Sequence, residues 1–164
     1  MLKDSLKIPV DNNECDRTNY IVNGFFYIMQ YKASSDVSTK EGFDRAPVIY
    51  CFMPDDKNIN CFWGINFHYF NTDIQELIFT NMLKYYNIME HNDKRVILSP
   101  EQLNKIYTNI GIGARCYSRK NVLDAYRIKN QYIPKYLNFD SEFYIKNKDL
   151  IGIEFNLAPG NKGF

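Results

Sequence analysis

Residues 44–71, DRAPVIYCFMPDDKNINCFWGINFHYFN, constrain the fold more than any other part of the chain. Two apolar, aromatic-rich runs, 48–53 and 61–70, flank the polar segment 54–60. β-Branched and aromatic residues suit a pleated, half-buried surface, whereas Pro, Asp and Asn favour turns. The pattern predicts a β-hairpin with a loop longer than the two-residue minimum. In its second strand Cys61, Trp63, Ile65, Phe67 and Tyr69 share one face; Phe62, Gly64, Asn66 and His68 share the other. The first face is continuous and large, and is expected to be the core. The second is expected to carry close backbone approach and polar contacts.

The chain around the hairpin reads in order. Residues 1–20 are a polar arm, 24–31 (GFFYIMQY) a first strand, and 32–41 a solvated loop. Beyond the hairpin the period changes from two to near four. Thr72, with Asp73 and Gln75, has the form of a capping box. Ile74, Leu77, Ile78, Met82, Tyr85 and Met89 then form a helical stripe. Ser99-Pro100-Glu101-Gln102 offers a serine cap, proline at the first helical position and glutamine at the third. Leu103, Ile106, Tyr107 and Ile110 supply its apolar stripe, and Gly111 and Gly113 are expected to end it. A third helix is expected over 121–130, with Val122, Leu123 and Tyr126 on one side. Residues 143–145 and 150–157 read as closing strands. Strands, then helices, then strands define an α+β fold. The expected architecture is a small bent antiparallel sheet or partial barrel, with two to three helices inserted before the closing strands. Residues 1–164 read as a single domain, with 158–164 as a tail.

Charge and composition narrow the function classes. Lysine and arginine number 20 against 19 aspartates and glutamates, so no global field recruits nucleic acid or anionic lipid. No run approaches the ~20 apolar residues that span a bilayer. The N-terminus lacks a signal-like apolar stretch, so a soluble chain made in a cytoplasm, without membrane partners, is expected. Cys15, Cys51, Cys61 and Cys116 are widely spaced and include no CxxC pair, which predicts free thiols. Thirteen tyrosines exceed what a core of this size can partner, because each buried hydroxyl needs a hydrogen bond. Some are therefore expected at the surface, where tyrosine anchors interfaces. An AT-rich genome is a second source of the Tyr, Asn, Ile and Lys bias.

Few residues offer chemistry. His68 and His91 are far apart, and no HExxH, CxxC or paired-carboxylate motif accompanies them. His68 beside Asn66 reads as a hydrogen-bonded structural histidine ahead of a catalytic base, and His91 as a dipole-favoured helix end. Cys51 and Cys61 sit on apolar runs, where a thiol is packing rather than nucleophile. Gly111-Ile112-Gly113-Ala114-Arg115 resembles part of a phosphate loop but lacks its third glycine and its Lys-Ser/Thr; a helix-terminating turn explains it. Arg115, Arg119, Lys120, Arg127 and Lys129, interleaved with Tyr117 and Tyr126, form a basic segment able to contact phosphates. A solvated basic face is the plainer reading. No catalytic, cofactor-binding or metal-ligating residue is assigned, and no cofactor is expected.

At the hairpin the sequence resembles small virion-associated proteins of large tailed bacteriophages. The residues that carry the resemblance are the strand 25–31, Asp44-Arg45-Ala46-Pro47, and Gly64-Ile65-Asn66-Phe67-His68-Tyr69-Phe70. Ala46 stands where the pattern has an aromatic. The match covers roughly a third of the chain and includes no catalytic motif. It implies a structural component of the tail, baseplate or neck, or a protein guarding packaged DNA ends. Its expected location is the virion, and its expected partners are other virion proteins, in multiple copies of a symmetric assembly. Asp44, Arg45, Pro47, Gly64, Asn66 and His68 would then act as a signature that fixes the hairpin. Nucleic-acid binding through the basic segment is the second reading, and a small enzyme using His68 the third.

Overall fold

A computed structural model describes residues 10–32, 46–54, 57–88 and 95–151. Six strands build one antiparallel sheet: β1 (Cys15–Arg17), β2 (Phe26–Tyr31), β3 (Val48–Pro54), β4 (Cys61–Asn66), β5 (Ala114–Ser118) and β6 (Val122–Ile128). Their order is β1-β6-β2-β3-β4-β5. Helices α1 (Thr72–Tyr86) and α2 (Pro100–Ile106) stand between β4 and β5. Three short helices follow the sheet: α3 (Ile133–Tyr136), α4 (Ser141–Lys146) and α5 (Lys148–Ile151). The fold is α+β, as the strand–helix–strand order predicts.

Chain connectivity forces the sheet to roll. Strands β5 and β6 are joined by only Arg119–Asn121, a 3-10 turn. In a flat sheet of this order they would lie ~19 Å apart, four strand spacings. The four chain steps from Ser118 to Val122 reach ~14 Å at most. The sheet therefore curls until β5 approaches β2. The Tyr31 hydroxyl accepts the Ser118 N–H at 3.0 Å, and the Tyr31 and Tyr117 rings meet edge to face at 5.1 Å. Register shifts at Cys51/Met53 and Gln30/Tyr31 help, because a bulge bends its strand. The roll stays open, with β1 and β5 as its edges.

Rolling buries both faces of the sheet, which corrects the one-sided core expected for β4. The convex face packs on the helices through Phe26, Tyr50, Ile65, Phe79 and Met82. The concave face packs on itself through Tyr27, Met29, Ile49, Cys51, Phe62 and Tyr117. Phe62 is wholly buried, while Trp63 is only half-buried at the margin of the helical face. Strand β4 ends at Asn66, and residues Phe67–Tyr69 form a 3-10 turn that leaves Tyr69 exposed rather than in the core.

Helix α1 is capped by Asn71, whose side chain accepts the Ile74 N–H at 3.0 Å, and not by Thr72. Gln75 turns inward instead and donates to the Phe67 and Phe70 carbonyls at 2.9 and 3.0 Å. Ile78 and Met82 are buried as expected, joined by Phe79 and Leu83, whereas Leu77 and Tyr85 face solvent. Helix α2 has the full capping box between Ser99 and Gln102, with proline at its start. It ends at Ile106, before the two glycines, which belong to the 3-10 turn Ile110–Gly113. A Cβ on Gly113 would come within 2.6 Å of the Phe70 ring, so close packing rather than helix termination demands glycine there.

Four further expectations are corrected. The helix expected over 121–130 is β6: its apolar spacing fits either period, and pairing with both β1 and β2 decides. The strand expected at 143–145 is helix α4, initiated by Asp140, whose carboxylate accepts the Phe143 N–H at 3.2 Å. Leu150 and Ile151 belong to helix α5, and 152–157 lie outside the described residues. The arm is not all arm: β1 pairs with β6, and the buried Glu14 carboxylate accepts Lys135 Nζ at 2.6 and 2.8 Å and the Tyr136 hydroxyl at 2.8 Å. The loop 33–41 and the tail 158–164 lie outside the described residues.

Candidate functional site

The hairpin signature divides into braces and positions outside the described residues. Pro47 is buried ahead of β3, and its carbonyl accepts the Met29 N–H at 3.3 Å. Gly64 lies in register with Cys51, and any Cβ there would overlap the Ile49 side chain. Asn66 is buried; its Oδ1 accepts the His68 N–H at 2.9 Å, and its Nδ2 donates to the Tyr117 hydroxyl at 3.3 Å. One side chain thus ends β4, starts the 3-10 turn and ties β4 to β5. Burial pushes the Tyr117 hydroxyl up to about 12, so it stays protonated across the neutral range. The His68 side chain is exposed. Asp44, Arg45 and His91 lie outside the described residues.

The basic segment does not converge on one surface. Arg115 donates to the Ile112 and Ala114 carbonyls at 3.0 and 2.8 Å, and its guanidinium lies 4.0 Å from the centre of the Tyr69 ring. Arg127 pairs with Asp16 at 2.7 Å and lies over the Phe25 ring. Lys120 is exposed in the turn between β5 and β6. Arg119 lines a concavity among the described residues.

That concavity is a cleft of about 390 Å³ at the open mouth of the rolled sheet. The segment 17–21 forms one lip, the hairpin turn at 59–60 the other, and the start of β6 lines the side. Asn58 shapes the second lip by accepting the Asn60 N–H on its side chain at 2.9 Å and the Cys61 N–H on its carbonyl at 3.0 Å. Arg119 bridges the lips, donating Nη1–H to the Ile21 carbonyl at 2.9 Å and Nε–H to the Ile59 carbonyl at 3.3 Å. Its guanidinium lies over the rings of Phe62 (5.2 Å) and Tyr20 (5.8 Å). The cleft's carboxylate, Asp124, is taken by Arg17 at 3.0 Å. Tyr20, Ile59 and Leu123 line the cleft and are 72%, 86% and 53% exposed. Sequence reading named Arg119 but missed these three. Ile59, an isolated aliphatic residue in a polar hairpin loop, carried the one available signal.

Two of the thiols, Cys15 and Cys51, are set for packing. Burial pushes the Cys51 thiol up to about 12 and the Cys15 thiol up to about 11, away from the nucleophilic thiolate. None of the four cysteines is in a disulfide, and Cys51 faces Gly64 rather than Cys61 across the hairpin. Among the described residues no group of three or more His, Cys, Asp or Glu side chains is placed to hold a metal, and no helix is long and apolar enough to cross a membrane. No family model matches the chain, and neither a curated protein nor a solved structure does.

Proposed function

We propose that the protein is a non-enzymatic structural component of a tailed-bacteriophage particle, in its tail, baseplate or neck, held there by contacts with other virion proteins. The observation that carries the reading is the mouth of the rolled sheet: three large apolar side chains stand exposed around one cleft. Exposed large apolar side chains gathered at one site are what interfaces use. The particle itself is argued from the hairpin resemblance, whose residues Pro47, Gly64 and Asn66 have bracing roles in the sheet. The arm lends no support, because residues 10–20 are held by the chain's own β6 and Lys135 rather than awaiting a neighbour. The deciding experiment is quantitative mass spectrometry of gradient-purified, nuclease-treated particles of the virus that encodes the chain. A fixed copy number per particle is expected. Presence in lysate but not in particles overturns the reading. Tight DNA binding with a steep salt slope would favour the nucleic-acid reading instead.

A further inference from the structure

We propose that the cleft beside Arg119 is the docking site for a partner peptide that carries one carboxylate next to a large apolar side chain; this rests on the structural-component reading above. The cation selects the charge. Arg119 donates one Nη1–H and its Nε–H to the two lips, and its other N–H groups meet no acceptor among the described residues. A guanidinium so placed matches a carboxylate, to which it can donate in parallel. The rim selects the neighbour. Tyr20, Ile59 and Leu123 are exposed side chains lining the same cleft as the cation, and Phe62 lies beneath it. A cleft of about 390 Å³ takes an apolar side chain with the acid beside it.

The same features disfavour a phosphodiester chain. Strands of nucleic acid are tracked by several cations, whereas the described lining holds two, Arg17 and Arg119, and Arg17 is paired through its Nε–H with Asp124. Two of the three rim residues are aliphatic and offer no ring for base stacking.

The test is two-dimensional NMR of the labelled full chain, titrated with the blocked pentapeptide acetyl-Gly-Phe-Asp-Leu-Gly-amide. Parallel titrations use the peptides with Asn or Lys in place of Asp, and a short oligothymidylate. Saturable shifts are expected at Tyr20, Ile59, Asn60 and the Arg119 Nε–H, with the Asn peptide at least ~tenfold weaker. Ile59→Ser and Leu123→Ser sit on exposed rim positions and should weaken binding severalfold while leaving the melting temperature unchanged. Equal affinity for the Asp and Asn peptides overturns the proposal. So do shifts elsewhere on the protein, no shift up to ~5 mM, or preference for the oligothymidylate. Particles that contain a chain whose cleft ignores the acidic peptide would sink the docking site alone. Acid-selective binding by a chain missing from particles would sink the structural-component reading alone.

Discussion

Replacing Phe62 by alanine should destabilise the protein more than replacing the neighbouring Trp63, although sequence pattern alone points to Trp63 as the core residue. Phe62 is 0% exposed, stacks on Tyr117 at 5.4 Å with 26° between the rings, and carries Arg119 above it at 5.2 Å. Truncation removes a whole buried ring, and the surrounding open roll, pinned by the short β5–β6 connection, has little freedom to collapse. A Phe→Ala change in such a site costs ~3–5 kcal/mol, of which the stacked pair supplies ~1. For a chain of this size that is a fall in melting temperature of roughly 10 °C or more. Trp63 is half-buried at the margin of the helical face and should lose about 2 kcal/mol or less. The assay is urea unfolding followed by far-UV circular dichroism, because Trp63 is the chain's single tryptophan and one variant removes the fluorophore. An equal or larger loss for Trp63→Ala would refute the two-faced core.

Glu14→Gln should destabilise by about 2–3 kcal/mol, less than a fully enclosed pair, since the Lys135 side chain is 30% exposed; an unchanged urea midpoint would show that the latch on β1 contributes nothing. Gly64→Ala should cost ~1–3 kcal/mol by forcing Ile49 aside, checked in the same titration. Ser99→Ala should cost ~1 kcal/mol through loss of the capping box, with Ser99→Asn nearly neutral. Stability should fall as pH rises above 9.0, the ordinary thiol value. There the unfolded chain gives up the Cys51 proton while the folded chain holds it until about 12, so alkali favours unfolding. Cys51→Ala should flatten that fall, which thermal melts across the alkaline range would reveal.

Local signals were legible where neighbouring residues alone set the structure. The apolar, aromatic-rich runs of β3 and β4 and the Ser99–Gln102 box needed no distant partner. The bend was expected, as a bent sheet or partial barrel, but its cause was not legible, because it follows from β5 and β6 lying beside different strands, a fact of topology. The same blindness hid the identity of 122–128, whose Val122, Leu123 and Tyr126 fit helical spacing until β2 pairs with the segment. In 143–145 aromatic and β-branched composition argued for a strand, but the Asp140 cap one turn earlier prevailed. At the site, the charge of the basic segment was visible while its fate was not. Tyr69 and Asp16 engage Arg115 and Arg127 from remote parts of the chain, and only Arg119 is left facing a cleft.

Amide hydrogen exchange, compared between the free protein and the same chain in purified particles, tests docking through the cleft most directly. Docking predicts added protection in segments 18–22, 58–60 and 119–124 on incorporation, with the concave-core amides of β2 and β3 unchanged. A chain absent from particles, or one present with identical exchange in those three segments, would contradict it.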